Sequence, residues 1–152
     1  MKQVDTFEYV SVLKELVEEG REVSMLISGS SMSPFLCHER DRVFFKAPDR
    51  PLRVGDIVFY RRRSGQYVLH RICKAKNGGF YIVGDAQTVI EGPVSREQIF
   101  ALVTKVQRKG RLLGPGDFWW EFFAQVWVRL IPLRPLLVRL YEWFRRKSLA
   151  YF

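Results

Sequence analysis

Six short runs of apolar or alternating residues between positions 23 and 108 constrain the fold of this chain more than any other feature. The runs are VSMLIS (23–28), RVFFKA (42–47), DIVFYRR (56–62), QYVLHRICKAK (66–76), GFYIVGD (79–85) and QIFALVTKVQR (98–108). Such runs, rich in Val, Ile, Phe and Tyr and bounded by Gly, Pro, Asn and Asp, are typical of β-strands. The Asn-Gly-Gly sequence at 77–79 predicts a hairpin between two of them. We therefore expect a mixed or antiparallel β-domain over residues 21–112.

The two ends of the chain show helical periodicity instead. At the N-terminus, the pattern predicts an amphipathic helix over residues 1–20, with core-facing side chains at Phe7, Val10, Leu13, Leu16 and Val17. Acidic residues interrupt this segment, so it lacks the apolar region of a secretory signal peptide. The expected fold class is mainly β, with an N-terminal helix and a C-terminal amphipathic helical segment.

The C-terminal segment, residues 117–152, contains all four tryptophans of the chain. The residues expected to form a membrane or partner surface are Trp119, Trp120, Trp127, Arg129, Arg134, Arg139 and Trp143. Charged residues interrupt the segment, so a span of about 20 apolar residues is not expected. Two interpretations stay open: a basic amphipathic helix on an anionic membrane surface, or helices that pack on the β-domain or on a second copy as a homo-oligomer.

The charge and the cysteines narrow the range of partners. A formal charge of +9 favours an anionic partner, but no helix-turn-helix, zinc-finger or aromatic RNA-binding pattern supports nucleic acid. Cys37 and Cys73 make no disulfide framework and indicate reduced thiols in a cytoplasmic or peripheral membrane protein. A metal site with His38 and His70 is not expected, because His70 and Cys73 are three residues apart on a strand and point to opposite faces. We expect no metal and no cofactor.

Hydrolysis by a serine needs a base for its proton and donors for the oxyanion. GSSMSP (29–34) offers Ser31 as a nucleophile, and the strand-like YVLHRI (67–72) contains His70 as a base. A histidine in such a strand is alternatively a structural core residue. His38, in the charged sequence CHERDR, is expected to be an exposed surface residue. Asp85, in YIVGDAQ, follows both candidates in the chain.

This arrangement resembles type I signal peptidases, especially the branch found in the endoplasmic reticulum, archaea and some spore-forming bacteria. Four motifs match in order between residues 24 and 108: Ser31-Met32-Ser33-Pro34, Gly55-Asp56-Ile57-Val58, His70-Arg71-Ile72 and Gly84-Asp85-Ala86-Gln87. The resemblance implies a β-rich peptidase fold shared with LexA-like autoproteases. It also implies a Ser-His dyad, with His70 where most bacterial members have Lys.

The resemblance assigns a role to each matching residue. Ser31 would attack a peptide carbonyl, and His70 would accept its proton. Asp85, or Glu91 six residues later, would orient the imidazole. The residues that would shape the turn and the oxyanion hole are Gly29, Ser30, Met32 and Pro34, together with the Ser31 N–H group.

Three departures from the family pattern bear on function. Gly29 stands where many members have a serine that holds the oxyanion, Gln87 replaces Asn, and no membrane-spanning helix is expected before Ser31. Two functions stay open: a serine endopeptidase that cuts an extended peptide or protein bound as an added strand, and a non-catalytic peptide- or membrane-binding module. A LexA-type autoprotease matches less well, because that type uses Lys as its base.

Overall fold

A computed structural model describes the backbone of residues 3–150 and the side chains of residues 8–147. The strands are β1 Val23–Leu26, β2 Arg42–Lys46, β3 Ile57–Arg61, β4 Tyr67–Lys76, β5 Gly79–Val83, β6 Glu91–Val94, β7 Ile99–Arg108 and β8 Arg111–Leu113. The α-helices are α1 Gln3–Glu18, α2 Phe118–Glu121 and α3 Arg134–Ala150. The prediction of a mainly β fold with helices at both ends is confirmed.

The strands form one sheet in the order β1-β2-β7-β3-β4-β5-β6, with β8 paired to β7. Every pairing is antiparallel, so the antiparallel alternative is correct. The hairpin predicted at Asn77 joins β4 to β5. Strands β6 and β8 were not predicted. Pro93 in β6 had favoured a turn, and the structure tolerates it because β6 is an edge strand, where a missing N–H breaks no central ladder.

Two separate cores cover the two faces of the sheet. On β3, Phe59 packs into the first core with α1, β2 and the C-terminal segment. Val58 and Tyr60 point the other way, into a second core with residues of β4, β5 and β7. Because β3 is covered on both faces, its sequence is a continuous apolar run and does not alternate.

Helix α1 covers the first core as its spacing predicts. Val10, Leu13 and Val17 are buried, and Leu16 packs against the same core while partly exposed. The side chain of Phe7 lies outside the described residues. Burial of this face ties α1 to the sheet and leaves Glu8, Glu15 and Glu18 exposed.

The C-terminal segment divides into two parts. Residues 118–133 pack on the first core through Phe123 and Trp127, but not as the single regular helix expected from their apolar stripe. After α2, the backbone forms a π-helical turn at Phe122–Val126 and 3-10 turns at Trp127–Arg129 and Ile131–Leu133. Helix α3 then begins at Arg134. Within residues 3–150, no helix combines the length and the apolar character that crossing a bilayer requires.

Candidate functional site

Ser31 lies on a compact turn between β1 and β2. The Ser33 N–H donates to the Ser30 carbonyl at 3.2 Å, and the Leu36 N–H donates to the Met32 carbonyl at 2.9 Å. Met32 and Leu36 are buried in the first core, whereas Ser31 is partly exposed. Pro34, also exposed, follows a cis peptide bond. The buried residues anchor the turn, so Ser31 is presented at the surface from a fixed base.

The Ser31 turn packs directly on a second turn, residues 84–87. The Ala86 N–H donates to the Ser31 carbonyl at 2.9 Å, and the Gln87 N–H donates to the Gly84 carbonyl at 2.9 Å. A Cβ atom at Gly84 would lie 2.6 Å from the Ser31 carbonyl oxygen, which is too close for any side chain. The Gln87 side chain lies in the same space, with its Oε1 atom accepting from the Gly84 N–H at 3.3 Å. Glycine at 84 is therefore required for the two turns to touch.

His70 lies on the face of β4 that points to the second core, opposite Val58 on β3. Its side chain is buried, with 6% exposed. Burial lowers the pKa of His70 to about 4, and the positive charge of Arg62 acts in the same direction. The negative charges of Glu91 and Asp85 oppose the shift without cancelling it. The imidazole is thus neutral at neutral pH, which is the protonation state of a base.

The strand register and the Gly84 contact put the Ser31 backbone on the same side of the sheet as His70. β4 and β5 pair Arg71 with Val83, and one further step along this register brings Gly84 opposite His70. Opposed residues of antiparallel strands point to the same face of the sheet. The space next to Gly84, which the Ser31 backbone occupies, is therefore on the His70 side. Among the described residues, however, no hydrogen bond joins the Ser31 hydroxyl to the His70 ring.

Asp85 does not orient His70. Its two carboxylate oxygens accept from the Nε and Nη2 groups of Arg71, both at 2.8 Å, and both side chains are at most 2% exposed. Arg71 also donates to the Gly55 carbonyl at 2.8 Å and lies over the Phe35 ring at 5.4 Å. Asp85 forms no hydrogen bond to His70 here, because His70 and its neighbour Arg71 point to opposite faces of β4. An acid paired with Arg71 is on the far side of the sheet from His70.

Glu91 is the acid on the His70 side. It pairs with Ile82 of β5, which in turn pairs with Ile72 of β4, so these residues share a face with His70. Arg62 holds Glu91 through its Nε group at 3.0 Å from both carboxylate oxygens and its Nη2 group at 2.7 Å. The negative charge of Glu91 favours the imidazolium form of His70. Glu91 can therefore stabilise a protonated His70 without contacting it.

Tyr60 adds a hydroxyl group to the same side. Its ring lies edge-on to the His70 ring with centroids 6.5 Å apart. The hydroxyl is buried without a hydrogen-bond partner, and burial, followed by the charge of Glu91, raises its pKa. Sequence reasoning did not select Tyr60, because an aromatic residue in an apolar strand is ordinarily a core residue.

The Ser31 N–H group is available as a donor for an oxyanion. Within the described chain, the Ser31 N–H donates to no protein acceptor, and Ser30 beside it is exposed. The Gly29 N–H is used, because it donates to Nδ1 of His38 at 2.8 Å. Gly29 has a φ of 90°, a left-handed conformation that glycine adopts without strain. The exposed His38 thus also has a structural contact, because its ring holds the backbone at Gly29, two residues before Ser31.

Trp127 and Arg134 are not surface residues, contrary to the expectation from sequence. They are 7% and 2% exposed. The Trp127 indole N–H donates to the Asp85 carbonyl at 2.8 Å. Arg134 donates to the carbonyls of Gly84 and Gln87, each at 3.0 Å, and to that of Trp127 at 3.1 Å. The Gly84 and Trp127 carbonyls also accept from the Gln87 and Leu130 N–H groups, so Arg134 adds a second, charged donor to each. Together these bonds hold the 84–87 turn against the start of α3.

The sequence could have indicated the burial of Trp127 but not that of Arg134. Trp127 lies on the apolar stripe of the C-terminal segment, which could have indicated burial. Arg134 sits between two prolines in a basic segment, and nothing local distinguishes it from Arg129 or Arg139, which are exposed. Only the fold shows that Arg134 meets three carbonyl groups.

The remaining tryptophans differ in exposure. Trp119 and Trp143 are 45% and 49% exposed, in agreement with the expected surface. Trp120 is partly buried and packs edge-on against Phe35, with centroids 6.4 Å apart. Only part of the predicted surface, including Trp119 and Trp143, is therefore exposed to solvent.

An open cleft of about 570 Å³ borders the site. One wall is the 85–89 segment and the other is the first turn of α3, including Arg134, Pro135, Val138 and Arg139. Among the described side chains, no group of three or more His, Cys, Asp or Glu could hold a metal ion. Comparisons of the chain with protein-family models, with curated proteins and with solved structures found no match.

Proposed function

We propose that this protein is a serine endopeptidase of the kind that signal peptidase I represents, with Ser31 as nucleophile and His70 as general base. The observation that carries the proposal is the contact between the Ser31 turn and the 84–87 turn. It brings a partly exposed serine to the face of the sheet that bears a neutral, buried histidine. A hydroxyl, a base and a free N–H donor are the minimum set for acyl transfer by a serine.

In the proposed reaction, the Ser31 Oγ atom forms a bond to the peptide carbonyl carbon while His70 takes the hydroxyl proton. The Ser31 N–H group stabilises the oxyanion. As the C–N bond breaks, His70 returns the proton to the leaving amine, and water then hydrolyses the acyl-enzyme by the reverse use of the same groups. The missing hydrogen bond between Ser31 and His70 is compatible with this scheme, because such bonds often shorten only when substrate binds.

Asp85 and Glu91 have different supporting roles in this scheme. Burial opposes the imidazolium that forms when His70 accepts a proton, and the negative charge of Glu91 offsets part of this cost. Asp85 acts at a distance: its pair with Arg71 and its carbonyl bond to Trp127 hold the turn that contacts Ser31. Asp85 is thus a positioning residue, and Glu91 supplies the charge.

The proposed substrate is an extended peptide that adds a strand to the sheet. Strand β1 is an edge strand and ends five residues before Ser31, so a peptide paired with its free edge runs towards the serine. The resemblance to signal peptidases favours small side chains before the cut.

The test is cleavage of an Ala-x-Ala peptide in mild detergent, followed by mass spectrometry. Ser31→Ala should abolish cleavage, whereas Ser33→Ala, in the same turn, should retain it. Circular dichroism must show that both variants fold. Cleavage that continues at the wild-type rate in Ser31→Ala would contradict the proposal.

A second candidate function is a peptide-binding module without catalysis. Two observations favour it: no hydrogen bond joins Ser31 to His70, and both oxygens of Asp85 are held by Arg71. A module of this kind would bind the same peptide in calorimetry, return it uncut after prolonged incubation, and bind it equally well as Ser31→Ala and His70→Ala.

A further inference from the structure

Helix α3 extends away from the rest of the molecule after its first turn. Arg134 is buried, and Leu137 packs against the first core while partly exposed. From Val138 to Lys147, every described residue is exposed. The helix is therefore attached at one end and has solvent on all sides along most of its length.

The exposed part of α3 is amphipathic. Its apolar face presents Leu136, Leu140, Tyr141, Trp143 and Phe144, which are between 45% and 66% exposed. At 100° per residue, Arg139, Glu142, Arg145 and Arg146 fall on the opposite face. An apolar face of this size without a covering element indicates an interaction surface.

The charge of α3 indicates what covers this face. Residues 138–147 contain four basic residues and one acidic residue, which leaves a net charge of +3. A second copy of the chain would bring an identical positive charge against it, and the single Glu142 does not compensate four basic residues. Anionic lipid headgroups complement this charge, and Trp and Tyr rings favour the boundary between headgroups and acyl chains.

One contact within the helix has the geometry expected at such a boundary. The Lys147 ammonium lies over the Trp143 ring, 4.1 Å from its centroid. The charge thus lies against the aromatic face as a cation–π contact. This places a cation beside the ring that would enter the headgroup layer.

We propose that α3 is a membrane-surface helix that binds anionic lipid, with its apolar face in the headgroup–acyl boundary and its arginines on lipid phosphates. The same helix begins with Arg134, which holds the carbonyls of Gly84 and Gln87. Lipid binding through α3 would therefore keep the 84–87 turn within one helix length of the membrane. The inference does not depend on catalysis, and Ser31→Ala should bind vesicles like the wild type.

The experiment is co-sedimentation of the full chain with phosphatidylcholine vesicles, with and without about one-third phosphatidylglycerol. We expect binding to the anionic vesicles only, and a marked loss as salt shortens the screening length from about 10 Å at 0.1 M to about 3 Å at 1 M. Because one basic residue near an anionic surface contributes about fivefold in affinity, the double variant Arg145→Glu/Arg146→Glu should bind at least about 20-fold more weakly.

Matched variants distinguish vesicle binding through α3 from binding that depends only on the overall charge or hydrophobicity of the protein. Arg53→Glu/Arg111→Glu changes the net charge equally at exposed positions of the β-domain and should bind far better than the α3 variant. Trp143→Ser/Phe144→Ser should lose binding, whereas Leu112→Ser/Val54→Ser should keep it. Equal loss in both charge variants, or equal binding to both kinds of vesicle, overturns the proposal.

Sedimentation in lipid-free buffer tests the competing occupant. A monomer is expected. A dimer that dissociates in Trp143→Ser/Phe144→Ser, together with no binding to anionic vesicles, would show that a second copy covers α3 and would overturn the proposal.

Discussion

Replacing Asp85 by Asn should destabilise the fold strongly, and the effect can be estimated from the buried pair with Arg71. The carboxylate and the guanidinium share two bonds of 2.8 Å, and the two side chains are at most 2% exposed. Removing one partner of such a pair leaves an uncompensated buried charge and costs about 3–5 kcal/mol. With a urea m value of about 2 kcal/mol/M, the unfolding midpoint of Asp85→Asn should fall by about 2 M.

Urea unfolding followed by tryptophan fluorescence is the assay, since Trp127 donates directly to the Asp85 carbonyl. The cycle is completed with Arg71→Met and with the double variant. The double variant should cost clearly less than the sum of the two single changes, with a coupling of about 2 kcal/mol or more. Should Asp85→Asn not fold, a folded double variant would still show that the unpaired charge of Arg71 causes the loss.

Asp49→Asn is the matched control, because its carboxylate forms an exposed pair with Lys46. Its midpoint should stay close to that of the wild type. An Asp85→Asn protein that unfolds at the wild-type urea concentration would refute the assignment of Asp85 as a buried partner of Arg71. If that variant also lost peptide cleavage, Asp85 would have to act on His70 after all.

Three further predictions concern the contacts around Ser31. The pKa of His70 is about 4 in the fold against 6.5 for free histidine, so the unfolded state binds the extra proton first as pH falls. The free energy of unfolding should therefore fall by about 3 kcal/mol between pH 6.5 and pH 4. In urea unfolding at several pH values, His70→Leu should show a smaller dependence on pH. Arg134→Met removes three hydrogen bonds from a charged donor to backbone carbonyls and should cost about 2–4 kcal/mol in thermal or urea unfolding, whereas Arg139→Met at an exposed position should cost almost nothing. Gly84→Ala places a Cβ atom 2.6 Å from the Ser31 carbonyl oxygen and should lower the free energy of unfolding by about 1–3 kcal/mol. Gly114→Ala is the control and should be tolerated, because its nearest contact is at 3.7 Å. Equal stabilities of the two variants would contradict the contact between the turns.

Local pattern was sufficient for most elements of the fold. The strands from β1 to β5 and β7 and helix α1 follow from side-chain periodicity, which acts within a few residues. The strand β6 was missed because Gly92 and Pro93 favour a turn, and its pairing with β5 comes from residues distant in sequence.

The candidate site needed more than pattern. Ser31 and His70 could be selected from their motifs, and the register places them on one side of the sheet. The choice between Asp85 and Glu91 could not be made from sequence, because it depends on which face each acid shares across neighbouring strands. Arg71 belongs to one of the motifs, but its pairing with Asp85 was not predicted. This buried pair is what holds the Asp85 carboxylate away from His70.

The sequence by itself determined six of the eight strands, the presence of helices at both ends, and the serine and histidine worth testing, since each follows from short-range pattern and residue chemistry. The tertiary structure decided what those residues meet. It buried Trp127 and Arg134 on the 84–87 turn and left the rest of α3 uncovered, although tryptophan and arginine occur in both parts of the segment. The physical reason is that burial and pairing depend on contacts between distant residues, and a carbonyl group that needs a donor leaves no trace in the sequence around that donor.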